Sequence, residues 1–440
     1  MIVCKKNEKK LWPDTVRMPS FKKLDQNLKV DVVIIGGGIC GILTAYKLKE
    51  AGYEVVVIEK EKIGLGVTER TTAFITAQHD TMYHELAKSI GLMKTKLYLE
   101  ANLDAIKDYE ELALNYDFDY ERVDSCFFIK DNEEIINKEI EVLKKIGYNP
   151  SVTDKIPLPI SISKGVVFHN QGQMNPLKLI KCLASELEIY ENTEIIDFKN
   201  NVAKTRDYII EAKKIVICTH FPIHNNLPYS IRMYQMRSFV VAIDYKDDLK
   251  GLYTDHDENG LYYRKYGDYL IIGGYDTRTG NHHDAFTNLE KHVKEYFPGS
   301  EIKYFWGNQD LVTLDNVPYI GYINSHNQDI LVATGFNLWG MTSSMISANL
   351  IRDLVIGIKN KYAILYKPYR SMLNSNLLKN IGKIIANQIG LCKNRCSHLG
   401  CILKYNKAEK SWDCPCHGSR FDEEGNPIND PASKKLNLKD

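Results

Sequence analysis

The chain has 440 residues, too many for one hydrophobic core, so two or three domains are expected. Hydrophobic residues make up 44% and charged residues 26%, the balance of a folded protein rather than a disordered one. With 57 Lys and Arg against 56 Asp and Glu and no basic block, nucleic acid is not an expected partner. No apolar run reaches the length of a membrane span and none resembles a signal peptide, so we predict a cytoplasmic protein without a transmembrane segment.

The predicted elements begin with a β-α-β unit: the apolar run DVVII, a group of glycines, the helical pattern ICGILTAYKLKEAG, and a second apolar run, EVVVIEK. Residues 80–147 have helical spacing, and residues 150–310 contain short β-rich runs such as FVVAID and YLIIGGY. Two later runs, KKIVICTHFP and DILVATGF, resemble strands of the first unit. We therefore predict a multi-domain α/β protein in which an antiparallel β-rich domain is inserted into a discontinuous Rossmann-like domain.

The predicted boundaries follow from these changes of pattern. The first domain takes residues 29–80, 171–222 and 326–360, and the second takes residues 81–170 and 223–325. A linker helix is predicted within 361–391, followed by a small β module at 392–440.

Three glycines after the first strand form a dinucleotide fingerprint. Gly36 permits a tight turn, Gly38 lets backbone amides approach a pyrophosphate, and Gly41 lets the helix pack closely on the strand. Glu59 ends the next strand, where its carboxylate can accept a hydrogen bond from a ribose hydroxyl. The fingerprint alone does not distinguish FAD from NAD.

The order of motifs over about residues 29–360 resembles the FAD-dependent oxidoreductases of the D-amino-acid oxidase and glycine oxidase type. The fingerprint is followed by GLGVTERTTAFITAQHD, QGQMNPLKLIKCLA, KKIVICTHFP, YLIIGGYDTRTG, FWGNQDLVTLDNVPYIG and VATGFNLWGMTSS. The resemblance implies FAD as cofactor, a small-molecule substrate, and a segment along the flavin that includes Thr71 and Thr72. It also implies that the last motif lies beside the isoalloxazine ring through Gly335, Asn337, Trp339, Gly340, Met341 and Thr342.

The resemblance leaves the catalytic residues unknown. Members of this type generally carry an Arg that pairs with the substrate carboxylate, whereas this chain has Gln309 followed by Asp310 in the matching motif. An α-amino acid is therefore not the expected substrate. Arg264 and Arg278 are weak candidates to replace the missing Arg, although solvated surface positions are favoured for both, and His79 is a weak candidate acid or base.

Five of the ten cysteines lie between positions 392 and 416, which suggests a local metal site. The motifs CSHLGC and CPCHGS resemble the two boxes of Rieske iron-sulfur proteins. That resemblance implies a 2Fe-2S cluster bound by Cys396, His398, Cys414 and His417, with a disulfide between Cys401 and Cys416. Little β structure is predicted before the first box, so the module resembles a shortened Rieske domain. Two Cys and two His would also suit zinc.

Three hypotheses follow. The first is an enzyme that takes a hydride from a small molecule onto FAD and passes single electrons through the cluster to an unidentified external acceptor. The second is an FAD-dependent amine or amino-acid oxidase whose tail is a structural zinc or disulfide module. The third is a redox sensor without enzymatic activity.

Overall fold

The computed structural model describes residues 8–199, 201–223, 226–256, 260–281, 284–372, 375–389 and 394–436. The ends of the predicted C-terminal module, 392–393 and 437–440, lie outside these ranges. A 3-10 turn spans Thr68–Arg70, and the helices are Trp12–Thr15, Ile39–Glu50, Met82–Ile90, Leu92–Ala113, Glu134–Lys145, Pro176–Ala184, Asn226–Arg232, Ala285–Tyr296, Gly340–Ile356, Ala363–Tyr366 and Ser375–Ala386.

The first sheet has eight strands, five of which run parallel. In spatial order its main path is Tyr319–Tyr322, Ile330–Thr334, Ile209–Ile217, Leu28–Ile35, Val55–Ile58 and Glu188–Tyr190, and the hairpin Asp197–Lys199 with Val202–Lys204 extends it. Val32, Val33 and Ile34 have no exposed surface, as expected for a parallel strand covered on both faces. The predicted β-α-β unit is confirmed, because Val32 pairs with Val55 in parallel register across the helix Ile39–Glu50.

The second sheet has nine strands and is antiparallel except for one pair. Its main path is Ile302–Thr313, Met233–Asp244, Tyr269–Arg278, Tyr262–Tyr266, Leu252–Asp255, Glu121–Ile129, Lys164–Gln173 and Phe74–Ile75, and Ser151–Thr153 pairs beside Lys164–Gln173. The parallel pair joins Leu252–Asp255 to Glu121–Ile129. This sheet is the predicted β-rich insertion.

The chain crosses between the two sheets more often than the sequence suggests. Tyr319–Tyr322, which the predicted boundaries assign to the second domain, pairs with Ile330–Thr334 in the first sheet. Phe74–Ile75, assigned to the first domain, pairs with Lys164–Gln173 in the second. Strands of two to four residues carry too little pattern to reveal which sheet they join.

A third, four-stranded antiparallel sheet forms the C-terminal module from Lys404–Asn406, Ser411–Asp413, Arg420–Phe421 and Pro427–Asn429. The helix Ser375–Ala386 was predicted as a linker, but Ile384 on it is buried in the same apolar cluster as Cys396 and Cys401. This helix is therefore part of the module's packing.

Within the described ranges, every helix is too short or too polar to cross a membrane.

Candidate active site and iron-sulfur centre

One cavity of about 950 Å³ runs between the first two sheets. Gly36, Gly38 and Glu59 line one end, and Asp276 and Asp310 of the second sheet line the other. Thr71, Thr72, Gly335, Trp339, Gly340 and Met341, all predicted from the sequence to lie near a flavin, line the space between these ends.

The glycine loop has the geometry that a dinucleotide requires. A Cβ atom on Gly41 would lie 1.9 Å from the Gly36 carbonyl oxygen, so the helix can approach the strand this closely only with glycine. A Cβ on Gly38 would project next to the cavity, meeting only the Thr68 hydroxyl at 3.3 Å. Glu59 accepts hydrogen bonds from the Gly37 and Glu61 amides at 2.7 and 2.8 Å, which fix its carboxylate at the cavity edge.

The helix Gly340–Ile356 begins at the cavity wall. Its N-cap residue, Trp339, makes no side-chain capping bond, so the amides of the first turn are left for another acceptor. Met341 and Ser344 also line the cavity. Asn337 and Thr342 lie behind the wall, where the Asn337 Oδ1 atom accepts a hydrogen bond from the Thr313 amide at 2.7 Å. The glycine loop, the free helix start and the cavity between them fit FAD.

His79 does not line the cavity but packs behind Trp339. The two rings are stacked with centroids 4.4 Å apart, and burial lowers the pKa of His79 to about 3. Its Nδ1 and Nε2 atoms lie 2.8 Å from the Tyr98 hydroxyl and the Thr76 carbonyl oxygen. Both ring nitrogens lie at hydrogen-bond distance from another group and the ring is neutral, so His79 positions Trp339. This arrangement does not favour the acid or base role that was a weak candidate from the sequence.

The expectation that Arg264 and Arg278 are solvated surface residues is wrong. Arg264 is 1% exposed, and its guanidinium donates hydrogen bonds to the carbonyl oxygens of Thr72, Ala73 and Met174 at 2.7, 2.9 and 3.2 Å. Those bonds hold the backbone beside the cavity, and Arg264 itself is not part of the wall. Neither pattern nor composition shows such a contact, because the partners are about 190 and 90 residues away in sequence.

Arg278 and Gln309 both contact the C-terminal module. Arg278 donates hydrogen bonds to the carbonyl oxygens of Pro415 and Cys416 at 3.2 and 2.9 Å. Gln309 donates one to the Gly418 carbonyl oxygen at 2.5 Å. Both residues therefore help to hold the loop that carries Cys414 and His417, and neither replaces the missing substrate clamp.

Further contacts dock the module on the second sheet. Arg237, 5% exposed, forms an ion pair with Glu409, and the Gln235 side chain donates a hydrogen bond to the Asp430 carbonyl oxygen at 2.9 Å. Asp430, Pro431 and Ser433 reach past this interface and form part of the cavity wall.

The two ligand boxes fold into matching loops. The Cys396 amide donates to the Cys401 carbonyl oxygen at 2.8 Å, and the Gly400 amide donates to the Cys396 carbonyl oxygen at 3.0 Å. In the second loop the same pair of bonds, with the same lengths, joins Cys414 to Ser419 and Gly418 to Cys414. Gly400 and Gly418 both have positive φ, 75° and 88°, so the shared spacing Cys-x-x-x-Gly produces the shared turn. The Cys401–Cys416 disulfide implied by the resemblance is formed and joins the two loops.

The four proposed ligands converge between the loops. Cys396, Cys414 and His417 are at most 3% exposed, and the rings of His398 and His417 lie 5.0 Å apart. Among the described residues, no hydrogen-bond partner is found for any of the four ring nitrogens, although all four are buried. A hydrogen bond with Cys414, helped by the amides of His398 and Leu399, lowers the pKa of Cys396 to about 7. Burial lowers the pKa values of His398 and His417 to about 4 and about 3.

These features fit a metal cluster with two thiolate and two imidazole ligands. Buried, unpaired polar nitrogens are unfavourable unless something binds them. Neutral imidazole is the form that coordinates a metal. Because the disulfide uses Cys401 and Cys416, the thiols left at the site among the described residues are those of Cys396 and Cys414.

Sequence reasoning did not single out Asp276, Asp80 or Thr254, which also line the cavity, and it treated Asp310 only as the neighbour of Gln309. The missed signal was the two-residue alternation of side chains in a strand. Within Ile302–Thr313 it places Asn308 and Asp310 on the cavity face and Gln309 on the opposite face.

Comparison with known proteins agrees with this arrangement. The chain matches the family described as FAD dependent oxidoreductase over residues 31–354 and the Rieske [2Fe-2S] domain over residues 376–439. It is 34% identical to the putative Rieske 2Fe-2S iron-sulfur protein YhfW of Bacillus subtilis, with 97% of this chain and 96% of that protein covered.

Two more distant similarities concern the flavin-binding part. The gamma-glutamylputrescine oxidoreductase of Escherichia coli is 22% identical over 78% of this chain and 87% of its own length. The crystal structure of glycine oxidase from Geobacillus kaustophilus superposes with a TM-score of 0.67 at 19% identity, covering 79% of this chain and 100% of that one. The superposition on glycine oxidase shows a shared fold.

The Rieske match decides the question that the cysteine and histidine spacing left open between a 2Fe-2S cluster and zinc. Taken with the cavity and the paired loops, it identifies the chain as a member of the FAD-dependent oxidoreductase family that carries a C-terminal Rieske 2Fe-2S domain.

Proposed function

We propose that this protein oxidises a small molecule by hydride transfer to FAD and passes the electrons singly, within the same chain, to its Rieske cluster and then to an external acceptor. The observation that carries this proposal is the cavity wall, which both parts of the chain build. Asp430, Pro431 and Ser433 of the module face the same space as Trp339 and Gly340. Two redox groups that share one wall are suited to exchange electrons.

A ligand of the cluster contacts this wall through one intervening side chain. The His398 ring packs edge-on against Phe221 at a centroid distance of 6.1 Å, and Phe221 lines the cavity. The docking contacts of Arg237, Gln309 and Arg278 hold the module in that position.

When bound, FAD accepts two electrons together and a Rieske cluster accepts them one at a time. The chain's own residues supply the setting for that exchange. The second sheet and the docked module cover the cavity, and Trp339, fixed by His79, forms a rigid part of its wall. The cytoplasmic location stays a prediction.

The proposal is tested by photoreducing the flavin of the anaerobic holoprotein and recording the EPR spectrum. We expect the signal of the reduced cluster to grow at a first-order rate that does not change with protein concentration. A cluster that stays oxidised beside a fully reduced flavin, or a rate proportional to protein concentration, would contradict transfer within the chain. The variant Cys414→Ser is the control, because its flavin should be photoreduced without any cluster signal.

A further inference from the structure

We propose that the substrate end of the cavity binds a small organic cation, an alkyl amine, with Asp276 and Asp310 as its counter-charges. The amine as hydride donor rests on the function proposed above, whereas the binding of a cation does not.

The cation site lies on one face of the second sheet. Three adjacent strands, Ile302–Thr313, Met233–Asp244 and Tyr269–Arg278, present polar side chains to the cavity. They are Asn308, Asp310, Ser238 and Asp276. Ser238 lies directly opposite Asn308 in the strand register, and the Asn308 side-chain amide donates to the Asp310 carboxylate at 2.8 Å. The two carboxylates are therefore held by their strands at one place in the wall.

Unpaired polar atoms point to a ligand at the same place. Thr254 and Asn308 are 5% and 7% exposed and line the cavity. Within the described part of the chain, the Thr254 hydroxyl, the Asn308 Oδ1 atom and the Asp276 Oδ1 atom have no hydrogen-bond partner. Leaving such atoms buried and unpaired is unfavourable. All three can accept a hydrogen bond, and an ammonium group donates up to three.

The rest of this region suits the apolar part of an amine. Phe74, Tyr262 and Trp339 line the cavity here, with the Phe74 and Tyr262 rings edge to face at 6.1 Å. The Tyr262 ring lies over Gly273, where a Cβ atom would come within 1.9 Å of it. Aromatic faces attract organic cations, and they also cover alkyl carbons.

Among the described residues, no Lys or Arg forms an ion pair with Asp276 or Asp310, and Lys130 is paired with Asp255, another residue of the wall, at 2.7 Å. Among the described residues that line the cavity, the Lys and Arg residues are Lys60 and Arg70. Lys60 follows Glu59 at the opposite, nucleotide end, and Arg70 is paired with Glu8 and the Gly307 carbonyl oxygen. Asp80, a further carboxyl in the wall, adds negative charge. The carboxylate of an α-amino acid would lie among these negative charges without a cation to pair with. Gln309, in the motif where related enzymes carry an Arg, faces the module and not the cavity.

The same carboxylates suit the chemistry of amine oxidation. The bound ammonium loses one proton to a carboxylate, and the neutral amine then loses a hydride, with both electrons, from the adjacent carbon to FAD. The C–H bond breaks, a C=N bond forms, and the resulting iminium ion is hydrolysed by water to an aldehyde and ammonium. FAD is the only oxidant that these steps use.

The binding step can be tested without turnover, by calorimetric titration of the oxidised holoprotein at pH 8 with tert-butylammonium chloride, whose carbon next to nitrogen carries no hydrogen to lose as hydride, and, separately, with sodium pivalate, the carboxylate of the same shape. We expect tert-butylammonium to bind at least about tenfold more tightly than pivalate. The variants Asp276→Asn and Asp310→Asn, which keep the side-chain shape, should each weaken tert-butylammonium binding by about tenfold or more. Asp154→Asn, at an exposed position outside the cavity, is the matched control and should bind like the parent protein.

Equal affinity for the two ions, tighter binding of pivalate, or unchanged tert-butylammonium binding in both variants would overturn the cation site. A change confined to one variant would equally overturn the assignment of the other carboxylate. A flavin absorption spectrum of each variant shows that the cofactor is retained and the cavity intact. Since the titration involves no electron transfer and the photoreduction experiment needs no substrate, the two proposals can fail independently.

Discussion

The two cofactor sites use different parts of the polypeptide, since one offers backbone groups and the other offers side chains. At the nucleotide end of the cavity, Gly36, Gly38 and the start of the helix Ile39–Glu50 offer backbone groups, supported by an eight-stranded sheet. The Rieske module offers four side chains, supported by four short strands and one disulfide. A backbone site depends on how closely its elements approach, whereas a side-chain site depends on the identity of each ligand.

The largest effect is expected from a ligand substitution. Cys414→Ser replaces a proposed thiolate ligand, so the iron content should fall from about two per chain to none, while FAD is retained. Metal analysis and the flavin absorption spectrum measure both. Cys182→Ser, which changes a free cysteine outside the module, is the control and should keep its iron. Loss of FAD together with the iron in Cys414→Ser would show that the two sites are not independent.

A backbone-site substitution should affect folding as well as cofactor binding. Gly41→Ala places a Cβ atom 1.9 Å from the Gly36 carbonyl oxygen, so the helix must move away from the strand. We expect the free energy of unfolding to fall by at least about 3 kcal/mol and FAD to be lost, as measured by chemical denaturation and absorbance. Gly382→Ala is the matched control, because nothing lies within 4 Å of a Cβ at this helical position. There alanine should stabilise by up to about 1 kcal/mol, and equal losses in both variants would contradict the packing argument.

The interface between the two sites depends on a buried ion pair. Arg237→Gln removes one cation from the nearly buried Glu409 carboxylate, which keeps its contact with Arg420 at 3.2 Å. We expect docking to weaken by about 2 kcal/mol, less than for a carboxylate left without any cation. Faster proteolytic release of the module and slower photoreduction of the cluster would report this weakening. Arg122→Gln disrupts an exposed pair with Glu110 and should change neither measurement; a similar effect there would show that the interface pair has no special role.

The smallest expected effect concerns pH at the substrate end. Burial raises the pKa values of Asp276 and Asp310 to about 7, and for Asp276 the neighbouring charges of Asp310 and Asp80 add to this, opposed by a hydrogen bond with Ser238. Tyr262 and Asp80, which face the same site, also have raised pKa values, so Tyr262 stays neutral and Asp80 titrates in the same range, at about 7. Protonation removes the negative charge, so tert-butylammonium affinity should fall as pH falls below about 7.

Calorimetry between pH 8 and pH 6 measures this loss, which we expect to be about tenfold. The same titration of Asp276→Asn should show a shallower dependence. Affinity that rises as pH falls would contradict carboxylates as the counter-charges.

The sequence could predict features that depend on neighbouring residues, but not features that depend on residues distant in the chain. The fingerprint glycines depend on residues close in the chain, and the structure confirms the tight approach at Gly41. Arg264, Arg278 and His79 act through partners distant in sequence or through stacking, which no local pattern encodes. The two ligand loops were predicted from the motifs CSHLGC and CPCHGS through their resemblance to Rieske proteins, whereas the docked position of the module was not predicted.

The strand Ile302–Thr313 serves the cavity wall and the Rieske module through alternate side chains. Asn308 and Asp310 face the substrate cavity, while Gln309 between them holds the loop that carries His417. After gene duplication, substitutions at positions 308 and 310 could therefore change the substrate that binds, while the hydrogen bond from Gln309 to the cluster-binding loop is kept. Selection on substrate and selection on electron transfer would then act on alternate positions of one strand.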